Sequence, residues 1–367
     1  MLQEVTMKVG SFRAAIAALA AFAVLAGGPA LAQEAPRLPC AESDKPCLKR
    51  ALQDHASHRL QGWTADLARP LQERISPAPP RLVEFLHLDN ILNGWSERPR
   101  AATPDAAFMK DMRSAMAELP SSIQALFGRR LAGIYLVEDL GGTGYTDFVV
   151  DENGKAAAGL IVLDAAVLAG RNANAWASWK ENTPFQPQAG LQLAARIEAD
   201  GQDNRKNAIQ YILLHELGHV LSIGGDIHPP WNLEPKEVPA SARYRFFDLS
   251  WKVDRESDSY VTVFDARFPQ RKSVAYYFGA KLTAADMVST YTNLEQTSFA
   301  SLYASTSPGD DFAEAFASYV HVVLLRRPWQ ITITRAGEIV KTFNACWDEP
   351  RCADKRRVLE DILAQPQ

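Results

Sequence analysis

Cysteine and histidine are scarce in this 367-residue chain, which holds four of the first and seven of the second. The cysteines fall in two close pairs, Cys40 with Cys47 and Cys346 with Cys352, a spacing too wide for a cysteine-built zinc site. Clustered positive charge is missing as well. The net charge is −4, and a mildly acidic chain argues against a nucleic-acid surface, which needs grouped Lys and Arg. Internal repeats and low-complexity tracts are absent beyond the N-terminus. Long apolar runs are lacking too. The longest, residues 14–27, is alanine-rich and short of the roughly 20 residues that span a bilayer. Lys8 and Arg13 precede it, and Ala30 and Ala32 flank Leu31 just before Gln33. That layout predicts a cleaved signal peptide over residues 1–32, a periplasmic or secreted product and no membrane span after cleavage. In such an oxidising compartment an even cysteine count favours disulfides. The local pairings Cys40–Cys47 and Cys346–Cys352 are expected, because each brackets a short proline-containing segment.

What is present is a large apolar fraction, 47% of residues, enough for a sizeable core. Residues 33–125 read as a mainly helical N-terminal region. Residues 47–71 carry Leu48, Leu52, Leu60 and Leu67 on one stripe, residues 104–119 start beside Pro104, and residues 121–131 start at a Ser121 cap. Residues 81–92 show no clear period. The character changes near Ala132, where residues 133–138, 145–150 and 158–163 read as strands. Gly141, Gly142 and Gly144 read as a hairpin turn, since no helix follows them to make a phosphate loop. Residues 159–163 are the candidate edge strand for pairing with an extended substrate backbone; an ordinary core strand is the alternative.

Residues 215–219 read His-Glu-Leu-Gly-His within a long apolar helical pattern that Asp203 or Asn204 can cap and Gly224–Gly225 can end. Residues four apart on a helix share a face, so His215 and His219 can point two imidazoles at one ion. Zinc takes such nitrogens tetrahedrally and, in catalytic sites, keeps one position for water. Glu216 lies where it can take a proton from that water. His228 is a rival third ligand. The metzincin pattern, however, requires a glycine and a histidine where Ser222 and Gly225 stand, so His228 reads as a loop histidine. A second constellation follows. Ser307 fits a helix N-cap, Pro308 the first helical position, and Asp310 the third residue after the cap. Asp310 and Glu314, four apart, face one way; one carboxylate can bind zinc and the other can orient a ligating histidine.

With this acidic pair on a later helix, the chain resembles the gluzincin-type HExxH zinc metallopeptidases. The stretch Phe312-Ala313-Glu314-Ala315-Phe316 is most similar to the catalytic domain of anthrax lethal factor and related exported proteins. The resemblance covers roughly residues 205–325. It implies an α+β, zincin-like domain over residues 126–367, with a small mixed sheet and an HExxH helix, that binds Zn2+ and hydrolyses a peptide or protein substrate. His215 and His219 become metal ligands, Glu216 the general base, Asp310 the third ligand, Glu314 its supporting partner, and Tyr303, seven residues before Asp310 as in that domain, the oxyanion stabiliser. The family carries Glu where this chain has Asp310. Aspartate is one methylene shorter, so Glu314 is the alternative direct ligand. Two other readings share the motif: a zinc-dependent amide hydrolase acting on a cell-wall substrate, and a retired peptidase scaffold used for binding.

Overall fold

The computed structural model describes residues 39–364 apart from Asn232 and Phe278; the signal peptide expected over residues 1–32 lies outside them. The main sheet has five strands, β1 (Ile75–Pro77), β2 (Arg100–Ala101), β3 (Leu131–Glu138), β4 (Gly144–Val150) and β5 (Ala156–Asp164). Its order is β1-β3-β5-β4, with β2 paired to β3. β1 and β5 run parallel to β3, whereas β2 and β4 run antiparallel to their neighbours, so the sheet is mixed. β3 and β5 read as near-continuous apolar runs because both faces are covered. One face, through Tyr135, Val137, Leu160 and Val162, packs on helices α1 (Lys45–Asp54) and α2 (Pro80–Asn93). The other, through Ile134, Leu136, Ile161 and Leu163, belongs to the large core that holds α3 (Ala106–Ala117), α4 (Ser121–Phe127), α5 (Ala173–Asn182) and α6 (Arg205–Ser222). A three-stranded antiparallel sheet, β6 (Leu191–Arg196), β9 (Gln330–Arg335) and β10 (Glu338–Asn344), adds Leu193, Ala195, Ile331, Ile333 and Phe343 to that core; the short strands β7 (Trp251–Asp254) and β8 (Ser259–Thr262) pair apart from it. The fold is α+β, with mainly helical segments, which also carry β1 and β2, before β3.

Several local expectations are corrected. Gly141–Gly144 is not a hairpin turn: it carries the chain from β3 across the end of β5 to β4, and the true hairpin is β4–β5. Consequently residues 159–163 are not an edge strand. β5 is interior, and β4 forms the edge. Helix α1 stops at Asp54 because His55 turns to extended backbone and its ring accepts from Ser57 N–H; short 3-10 turns follow. Ser121 is the first helical residue rather than the cap, and Leu131 already opens β3. The unperiodic stretch 81–92 is helical, and it lacked a stripe because Leu82, Phe85, Leu86, Leu88, Asn90 and Ile91 are buried on several sides. Both expected disulfides are present, Cys40–Cys47 at the entry to α1 and Cys346–Cys352 just before α8 (Ala353–Ala364). Among the described residues no helix is long and apolar enough to cross a membrane.

Helix α7 (Pro308–Tyr319) is tied to the C-terminus by a buried ion pair. Lys355 Nζ lies 2.6 and 2.7 Å from the two oxygens of Asp311, and the Trp251 indole donates to the same carboxylate at 3.0 Å. Burial pushes Asp311 up and Lys355 down despite the pairing, the mark of a pair whose desolvation is expensive. Lys355→Met is therefore expected to destabilise the protein by about 3–5 kcal/mol, and Asp311→Leu added to it to recover much of that loss; urea midpoints of the parent and the two variants check this. After Tyr319 the chain widens into a π-helical turn, residues 320–324, that buries His321 against the Ile197 carbonyl at 2.7 Å. Burial lowers its pKa from 6.5 to about 4. A neutral buried imidazole stabilises above the unfolded value, and that contribution fades as pH falls toward the folded one. Relative to His321→Gln, the parent should lose up to about 3 kcal/mol between pH 6.5 and 4. Denaturant titrations at both ends of that window measure it, and parallel curves would contradict it.

Candidate metal centre

Helix α6 begins where the Asn204 side chain accepts from Asn207 N–H, the second of the two caps the sequence offered. Apart from its first two residues and His219 it is almost wholly buried, which is why its apolar residues form no single stripe. Two close approaches seat it. A side chain at Gly159 on β5 would strike Val220 and Ile223, so the helix lies directly on the sheet. A Cβ at Gly218 would fall 2.7 Å from Ala313 Cα and 3.1 Å from its carbonyl oxygen, so α6 and α7 meet backbone to backbone. That contact carries the acidic helix to the histidines. Gly218→Ala is expected to force the helices apart, to cost about 1–3 kcal/mol of stability and to weaken metal binding; a chelator-competition titration beside an unfolding curve checks both.

Helix α7 starts as its residues dictate. Ser307 caps it, accepting from Asp310 N–H at 3.1 Å and donating to the Asp310 carboxylate at 2.8 Å, while Thr306 donates to the same carboxylate at 3.1 Å. Held this way, Asp310 Oδ1 lies 3.9 Å from His215 Nε2 and 3.6 Å from His219 Nε2, and the two ring nitrogens are 3.2 Å apart. These three atoms form a cluster geometrically compatible with zinc. Donors about 2.0–2.2 Å from one tetrahedral ion sit roughly 3.3–3.6 Å from each other; two of the three distances are close to that range, and the longest, from Asp310 to His215, has to close by a few tenths of an ångström. The donor set, two imidazoles and a carboxylate, is the kind a catalytic zinc site uses.

Glu314 takes the other position. Its Oε1 lies 3.0 Å from His215 Nδ1, on the far side of the ring from the cluster. The contact is close but not aligned well enough for an ideal hydrogen bond, since His215 Nδ1 has no partner by strict N–H geometry. Lys180 on α5 donates to the same oxygen at 2.7 Å, and Ser301 donates to Oε2 at 2.7 Å. Burial alone would raise Glu314, but the Lys180 ammonium and His215 outweigh it and hold the carboxyl below the usual carboxylate range. Burial likewise opposes charge on Asp310, and His219 and His215 bring it down. Glu216 is buried beside His215 and accepts from the Thr146 hydroxyl of edge strand β4 at 2.8 Å. The Tyr303 ring lies 5.5 Å from that of His215, with the Lys180 ammonium 4.4 Å over it. Burial, and then the Asp310 carboxylate, push the Tyr303 phenol far above its ordinary value, so it stays a donor.

His228 stands outside the cluster: its Nδ1 lies 2.8 Å from the Pro229 carbonyl, and its Nε2 accepts from the Trp231 indole at 3.2 Å. Trp231 packs edge-on against His219, 5.7 Å between centroids, so the loop after α6 forms one wall of the site. Asp311, beside Asp310, points to Lys355 instead. Sequence reading missed Lys180, Ser301, Thr146 and Trp231. The one local signal was Lys180-Glu181, two charges on a helix that also buries Trp176 and Ala177. The cluster, with Glu216 on the same helix and Asp310 distant in sequence, is consistent with a gluzincin-type HExxH metallopeptidase fold and with a metal-dependent hydrolase. No family model, curated protein or solved structure matches the chain.

Proposed function

We propose that this protein is an exported zinc metallopeptidase that hydrolyses peptide bonds. The observation that carries the reading is the convergence of His215, His219 and Asp310, their donor atoms within 3.9 Å of one another, with Glu216 one residue from the first of them. His215, His219 and Asp310 would hold the ion, and Glu314 would support His215 from behind. Zinc bound there supplies a Lewis acid that polarises the scissile carbonyl and acidifies water. Glu216 takes the proton of the attacking water and returns it to the leaving amine. Thr146, donating to the Glu216 carboxylate, fixes its rotamer for that transfer. Tyr303, kept protonated, donates toward the developing oxyanion, in line with the resemblance of the Tyr303–Asp310–Glu314 spacing to the lethal factor-like domain.

Peptide over other amides is favoured by the sheet. β4 is an antiparallel edge strand lying on the HExxH helix through Thr146, and a sheet edge beside a catalytic site recognises extended backbone. Export is supported by the N-terminal signal pattern and by four cysteines paired as two local disulfides. The purified protein should cleave members of a mixed peptide library, lose that activity in 1,10-phenanthroline and regain it with added zinc. Cleavage unaffected by the chelator, or a zinc-replete protein inert toward every peptide, would contradict the reading.

A further inference from the structure

The N-terminal region closes one end of the edge strand. In an antiparallel pair, alternate residues turn their backbone groups to opposite sides. Asp164 N–H donates to the Thr143 carbonyl across the β4–β5 pair, and Gly159 N–H points the other way, to Arg130. By the register of that pair, Tyr145, Asp147 and Val149 face β5, while Gly144, Thr146 and Phe148 face outward. The outward N–H of Phe148 is already used. It is taken by the Asp147 carboxylate at 2.7 Å, and the buried His58 ring packs against the Phe148 phenyl ring. One step further, Arg59 forms a parallel bridge with Val150. The side chains continue the closure: His219, Trp231, Phe148 and His58 make an unbroken aromatic row, with successive centroids 5.7, 6.0 and 5.5 Å apart. Among the described residues, the part of β4 clear of these contacts is Gly144 to Thr146.

Thr146 touches Glu216, so the scissile bond lies beside it. From Thr146 to Phe148 is two residues, ~7 Å of extended chain. We propose that an extended peptide meets the His58–Arg59 segment about two residues from the scissile bond on that side, so the enzyme trims short pieces from one end of its substrates and does not cut mid-chain. His58, Arg59 and Phe148 are the residues that set this limit. The inference rests on the metallopeptidase reading above.

The test takes one peptide that the zinc-loaded full-length protein cleaves and lengthens it residue by residue at each terminus separately. Extension at one end should leave kcat/KM flat or raise it. Extension at the other, past about two residues from the cut, should lower it by about 100-fold, and mass spectrometry of a mixed library should show cuts clustered near that same terminus. Efficient cleavage with long flanks on both sides would overturn the end restriction and leave the peptidase reading intact. No cleavage of any peptide would overturn both.

Discussion

Glu216→Gln should bind zinc as tightly as the parent chain and lose about 10²–10⁴-fold in kcat. The amide keeps the volume of the carboxylate and can still meet the Thr146 hydroxyl, so the buried packing of α6 is preserved. What it cannot do is accept the proton of the attacking water. The two readouts separate the roles: metal content reports whether His215, His219 and Asp310 still gather, and turnover reports the proton transfer. A variant with parental turnover would remove Glu216 as the base, whatever its place in the motif. KM should move little, because the carboxylate acts on the reacting water and not on the substrate backbone.

The second large effect distinguishes the two acids of α7. Asp310→Ala deletes one of the three converging donors and should abolish stoichiometric zinc retention after dialysis. Glu314→Gln leaves the donors in place, keeps an acceptor for Ser301 and weakens the support of His215; losses of 10–100-fold in metal affinity are typical for such partners. Lys180→Met should resemble Glu314→Gln in zinc affinity, because its ammonium, 2.7 Å from Glu314, is what fixes that carboxylate. Titrations against a competing chelator, with circular dichroism to establish folding, measure all three. Equal zinc retention in Asp310→Ala and Glu314→Gln would place the third ligand elsewhere.

The legible parts of this site were those set by local spacing. His215 and His219 are one helical turn apart, and any helix brings them together. Ser307, Pro308 and Asp310 form a start signal whose hydrogen bonds are internal to four residues, so the acidic face was readable. The shorter aspartate reaches because Gly218 and Ala313 let α6 and α7 touch, a contact between glycine and alanine that no local pattern announces. Lys180 was not legible because its partner lies 134 residues away. Sheet order was hidden for the same reason. The sequence showed residues 145–150 and 158–163 as strands, but which of them is the edge depends on β3 passing beside β5, a long-range choice. Helix α2, buried on several sides, had no amphipathic stripe to show.

The proposed chemistry requires one ion between two histidines of α6 and an acid of α7. A crystal structure of the zinc-loaded protein, with anomalous data collected at the zinc edge, tests it directly. One peak about 2.0–2.2 Å from His215 Nε2, His219 Nε2 and an Asp310 carboxylate oxygen is the expected result. A peak bound without Asp310, or no ion at the two imidazoles, would contradict it.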